Sequence, residues 1–130
     1  MDRCDLKTLS MLERNAKLEI DKTTGYGHYI FVMNSQVAPF DNADVRNALK
    51  YAIDREDIAA KVFSGINRAA NDNPIAPSIK FAIDPQPVHK YDPEMAKSLL
   101  KKAGLESLKV DINVSDAAFS GAVDAATLYK

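Results

Sequence analysis

Apolar residues recur along the chain at two spacings, and each spacing predicts a different element. Val45, Ala48, Leu49, Ala52 and Ile53 fall at offsets 0, 3, 4, 7 and 8, one face of an α-helix. Asp41 or Asn42 is placed to accept the free N–H groups of its first turn. A second helix follows, with Asp54 as cap, Ile58, Val62 and Phe63 inward, and Gly65 suited to the left-handed position after the last turn. A third opens at Tyr91-Asp92-Pro93-Glu94. Asp92 is its cap, and Pro93 stands where a missing N–H costs nothing. Glu94 favours the helix dipole, Ala96, Leu99, Leu100 and Ala103 form the stripe, and Gly104 ends it. Looser helical stripes run through Leu6, Leu9 and Leu12, with Asp5 as a candidate cap, and through Phe119, Ala122, Val123 and Ala126.

The other spacing is that of strands. Leu108 to Val114 alternates strictly, which predicts a strand with one wet face. His28 to Asn34 is a continuous apolar run, which predicts a strand buried on both faces of a helix-covered sheet. Lys17 to Asp21 predicts a short strand, and Thr23 to Gly27 a turn. Residues 66–91 hold no sustained period and contain Pro74, Pro77, Pro85 and Pro87, so a long ordered loop is expected. The fold class read from this pattern is α/β in one domain spanning residues 1–130. A helix that reaches Lys130 without a stop signal suggests a fragment cut from something longer.

Composition narrows the function classes. With 17 Lys+Arg against 18 Asp+Glu the formal net charge is −1, so no broad basic face is available for nucleic acid. A single cysteine, Cys4, excludes an internal disulfide and a cysteine-based zinc site. No apolar run has bilayer-spanning length, and the first residues lack the pattern of a signal peptide, which leaves a cytosolic protein or a piece of a precursor.

Candidate chemistry is sparse. Asp41, Asp44, Asp54 and Asp57 could serve acid–base work, but each stands near a predicted helix start, where capping accounts for it. His28 and His89 are distant in sequence and lack an acidic partner at ligand spacing. The Gly25-Tyr26-Gly27 stretch precedes a strand rather than a helix, so it is a turn and not a phosphate loop. No nucleophile, metal set or cofactor motif emerges. A stand-alone protein-interaction module using the proline-containing loop, and a small metal-dependent or acid–base hydrolase using the aspartates, are the rival readings.

Two long motifs carry a resemblance. Phe31-Val32-Met33-Asn34, Pro39-Phe40-Asp41-Asn42, Val45-Arg46-Asn47-Ala48-Leu49 and Ala52-Ile53-Asp54-Arg55 follow one another in order. Tyr91-Asp92-Pro93-Glu94 then leads through Ala96-Lys97 and Leu99-Leu100 to Ala103-Gly104. In order and spacing this resembles the peptide-type solute-binding proteins of ABC importers, extracellular solute-binding family 5. The resemblance implies part of the second, ligand-binding lobe of a two-lobed protein. Its fold would be a partial lobe of the type II periplasmic-binding-protein kind, a mixed sheet flanked by helices. It further implies a periplasmic or extracytoplasmic full-length protein that binds and delivers a ligand and has no catalytic residue. Its partners would be a peptide or other small solute, the importer's membrane subunits and the remainder of the same polypeptide. Self-association is expected where missing segments leave apolar surface. Asn34, Pro39, Phe40, Asp41, Val45, Arg46, Asp54, Arg55, Asp92, Pro93 and Gly104 are then structural. The loop after the alternating strand would face the ligand through Ser115, Asp116 and Phe119. Dipeptide-binding members offer an Arg and an aromatic in that loop, whereas this chain has no Arg there.

Overall fold

A computed structural model describes residues 6–23 and 25–129. Among these described residues are five helices: α1 (Leu6–Glu13), α2 (Ala43–Ala52), α3 (Arg55–Val62), α4 (Pro93–Lys102) and α5 (Ala122–Tyr129). The candidate cap Asp5 and residue Cys4 lie outside the described residues.

Three helix starts follow local chemistry. Asn42 Oδ1 accepts the Asp44 N–H at 2.8 Å, so Asn42 rather than Asp41 caps α2. Asp54 Oδ1 accepts the Asp57 N–H at 2.9 Å and Asp92 Oδ1 the Met95 N–H at 2.9 Å. Each satisfies a donor that the first turn leaves without an intrahelical partner. The end of α4 is a Schellman turn: Leu105 N–H donates to Leu100 O and Gly104 N–H to Lys101 O, with Gly104 at φ 78.

Helix α2 packs on α4, burying Val45, Ala48 and Ala96. The two run antiparallel. Lys102 at the end of α4 pairs with Asp44 at the start of α2 at 3.0 Å, while the Asp92 N–H ahead of α4 donates to Tyr51 O at the end of α2 at 2.9 Å. Helix α3 packs on α5 around Ile58, Phe63 and Ala125, with Phe31, Ile53, Val62 and Phe119 against them.

The expected sheet is absent: among the described residues there is no strand at 17–21, 28–34 or 108–114. Alternation and apolar runs say which face a strand would bury, but a strand exists only where a neighbour supplies its ladder of hydrogen bonds. The burial expected of 28–34 is also missing, since Ile30 is 63% and Val32 81% exposed. Near residue 17 the chain turns instead, with Asn15 Oδ1 accepting the Lys17 N–H at 3.0 Å and Asn15 O the Leu18 N–H at 2.9 Å. Residues 66–91 carry neither helix nor strand.

Candidate functional site

The segment 115–121 is a compact turn that ends at α5. Ser115 O accepts the Ala118 N–H at 2.9 Å and Ser115 Oγ the Ala117 N–H at 3.2 Å, which folds the chain back on itself. Asp116 Oδ1 then reaches across to the Val123 N–H at 3.2 Å, in the first turn of α5. Phe119 O accepts the Ala122 N–H at 3.2 Å. Ser115, Asp116 and Phe119 therefore stand on one short turn. Ser115 and Asp116 are exposed and Phe119 is half-buried.

Phe119 lies in an aromatic array. Its ring stacks on Tyr29 with centroids 4.0 Å apart, and the Tyr29 ring also stacks on Phe63 at 5.6 Å. Phe63, at the end of α3, is 5% exposed and anchors the array in the core, whereas Tyr29 is 54% exposed. The result is an aromatic platform with a wet outer ring, whose Phe119 shares its turn with the Asp116 carboxylate. Such a surface suits a ligand with an apolar or planar part, and an ionised carboxylate favours a cationic group. Tyr29 was not singled out from the sequence. Its signal was an aromatic at the start of an apolar run, but only tertiary packing pairs it with Phe119.

A second cluster fastens the loop 66–91 to the α2–α3 junction. Asp72, at φ 64 in the left-handed region that aspartate tolerates, receives Arg55 Nη2 at 2.8 Å and His89 Nδ1 at 2.7 Å, with Lys50 Nζ at 3.8 Å. Arg55 Nη1 also donates to Lys50 O and to His89 O, each at 3.0 Å. The Tyr51 ring meets His89 edge-on at 4.8 Å. His89, which has no acidic residue at ligand spacing along the sequence, thus meets one in space, Asp72.

The remaining motif residues are fasteners. Arg46 Nη1 donates to Phe40 O at 2.7 Å and to Asp41 O at 3.0 Å, which holds the Pro39-Phe40-Asp41 turn against α2. Asn34 Oδ1 accepts the Gln36 N–H at 3.1 Å and starts that turn. Val45 is 1% exposed. Asp57 pairs with Lys61 at 2.8 Å. No group of three or more His, Cys, Asp or Glu side chains that could hold a metal occurs among the described residues. No helix among them is long and apolar enough to cross a membrane.

Residues 2–129 match the family described as bacterial extracellular solute-binding proteins, family 5 Middle. The chain belongs to that family. Membership carries a periplasmic-binding-protein-like fold. Among curated relatives, the heme-binding protein A of Haemophilus influenzae is 36% identical over 96 residues, covering 74% of this chain and 17% of the relative. The glutathione-binding protein GsiB of Pectobacterium atrosepticum is 38% identical over 94 residues, covering 72% of this chain and 18% of the relative. GsiB of Escherichia coli O6:K15:H31 is 38% identical over 95 residues, with 73% and 18% covered. The matched part of this chain thus spans less than a fifth of each relative.

Proposed function

We propose that this chain is part of the second, ligand-binding lobe of an extracytoplasmic solute-binding protein. That protein captures a peptide or similar small solute and delivers it to the membrane subunits of an ABC importer, without catalysis. The family match over residues 2–129 carries the reading. In the whole protein, 28–34 and 108–114 are strands of a mixed sheet whose partners come from the remainder of the polypeptide. The exposed apolar side chains of Ile30 and Val32 are consistent with such cover.

Ser115, Asp116 and Phe119 line the ligand side of this lobe, with Tyr29 beside them. Asp116 favours an amine or other cation on the ligand, and the Phe119–Tyr29 stack covers an apolar part. Opposite charges at ~4 Å gain about 4 kcal/mol at an effective dielectric near 20, before desolvation is subtracted. In two-lobed binders hinge closure buries the ligand between the lobes, and well-formed sites bury ~70–90% of it.

The test is calorimetric titration of the full-length protein with glutathione, hemin and a dipeptide series. Saturable single-site binding at about micromolar Kd or tighter, worth about 8 kcal/mol, is expected for one of them, with Phe119→Ala weakening it about tenfold. A full-length protein that binds none of these, or whose Phe119→Ala and Asp116→Ala variants bind as wild type, overturns the reading or its site.

A further inference from the structure

Gly121 is the joint between the 115–120 turn and α5. Its φ is 88, a backbone region that L side chains rarely adopt. A Cβ placed on it would stand 2.7 Å from Val62 Cγ1 and 3.6 Å from Phe63 Cε1. The backbone of the turn therefore rests directly on the C-terminal end of α3, with no room for a methyl group between them. The same Phe63 ring lies 5.6 Å from Tyr29 and 6.2 Å from Phe119. Gly121 O accepts the Ala125 N–H at 2.9 Å, so the joint is also the start of the α5 hydrogen-bond ladder.

We propose that Gly121 is a positioning residue for the ligand-facing turn: its close seat on Val62 and Phe63 sets the direction in which Phe119 and Asp116 are presented. This rests on the reading of 115–120 as ligand-facing. Two fixed points aim the turn, the α3 seat under Gly121 and the Asp116–Val123 bond. A displaced joint swings Phe119 off the Tyr29 ring, and a platform misplaced by an ångström or so loses much of its benefit to a bound group.

The experiment uses the full-length protein with Gly121→Ala, Val62→Ala, their double variant and Phe119→Ala. It reads the near-ultraviolet circular dichroism of the aromatic array, the melting temperature, and the affinity for glutathione and for hemin. Gly121→Ala is expected to reduce the near-ultraviolet signal and to weaken the bound probe about tenfold, a loss of about 1.4 kcal/mol. Adding Val62→Ala removes the methyl in the way and recovers part of both. Such non-additive rescue is what direct contact produces, and an unrelated loss of stability would not give it. A Gly121→Ala protein with wild-type signal and affinity overturns the proposal, as does a double variant no better than Gly121→Ala. Should Gly121→Ala fail to fold, Val62→Ala alone decides: a lowered aromatic signal supports the seat, and an unchanged one overturns it. Unchanged affinity in Phe119→Ala instead removes the ligand-facing reading. The aromatic signal, which needs no probe, still judges the role of Gly121.

Discussion

The phenol of Tyr129 donates to the carbonyl oxygen of Leu49 at 2.7 Å, a bond that ties the last turn of α5 to α2 across 80 residues of chain. Burial pushes this phenol up to about 12, with Arg55 pulling weakly the other way. The folded chain therefore holds the Tyr129 proton more tightly than the unfolded chain, whose phenol titrates near 10. The associated stability is fully present below pH 10 and is lost as pH rises from 10 toward 12. Tyr129→Phe should cost about 1 kcal/mol at neutral pH through the lost hydrogen bond. Thermal melts between pH 8 and 11 should show wild type losing stability faster than the variant, and parallel curves would contradict this.

Asp72 is the residue on which Arg55, His89 and Lys50 converge. Asp72→Ala leaves Arg55 and His89 without their carboxylate and puts a less tolerant residue at a positive φ, so a loss of about 2–3 kcal/mol is expected. Asp72→Asn keeps the backbone tolerance and one acceptor and should lose about half as much. Urea melts of the three proteins give the order. Hydrogen exchange should show the increase concentrated in residues 66–91.

Asp116 has two assignments that substitutions separate. As a cap, it serves through the Val123 N–H. As a ligand contact, it serves through charge. Asp116→Asn retains an oxygen for the N–H and should melt within about 0.5 kcal/mol of wild type, whereas Asp116→Ala should lose about 1 kcal/mol. In the full-length protein, Asp116→Asn should weaken a cationic ligand and flatten the salt dependence of binding. Unchanged affinity and salt dependence would leave Asp116 with the cap alone.

The isolated 130-residue chain offers a ligand only one side of a cleft under the two-lobed reading. Calorimetry with glutathione or hemin should therefore find binding no tighter than about millimolar, worth about 4 kcal/mol. Micromolar affinity in this chain alone would contradict the divided site.

Features settled within a few residues were legible in the sequence. Asp54, Asp92 and Gly104 act as the local pattern predicts, because a cap needs only its own helix terminus. The stripes of α2 and α4 likewise give their buried faces through Val45, Ala48 and Ala96. Leu108 to Val114 alternates as a strand would, yet forms none here, because pairing is a property of two segments and periodicity describes only one. At the candidate site, Ser115, Asp116 and Phe119 came from the resemblance to family 5. Tyr29, Phe63 and Gly121 did not, since their roles arise from contacts among 28–34, α3 and the turn. The Asp72–His89 pair was hidden for the same reason, with a run of prolines between its members.

That pair has a topological consequence. Asp72 and His89 touch at 2.7 Å, so the stretch from 73 to 88 leaves and rejoins the body of the protein at a single point. Inside it Asn73 Nδ2 donates to Ile83 O at 2.7 Å, and Asn71, just ahead of the closing pair, donates to Asp84 at 2.6 Å, which draws its two legs together. A closed ring of this kind insulates the rest of the chain from its own length. Doubling the number of residues in a flexible loop raises its closure cost by only about 0.6 kcal/mol. Insertions, deletions or a foreign peptide grafted between Pro74 and Ala82 would therefore leave the α2–α4 pair and the turn at 115–121 where they are. This bulge is therefore a place where the chain can change in length without moving those elements.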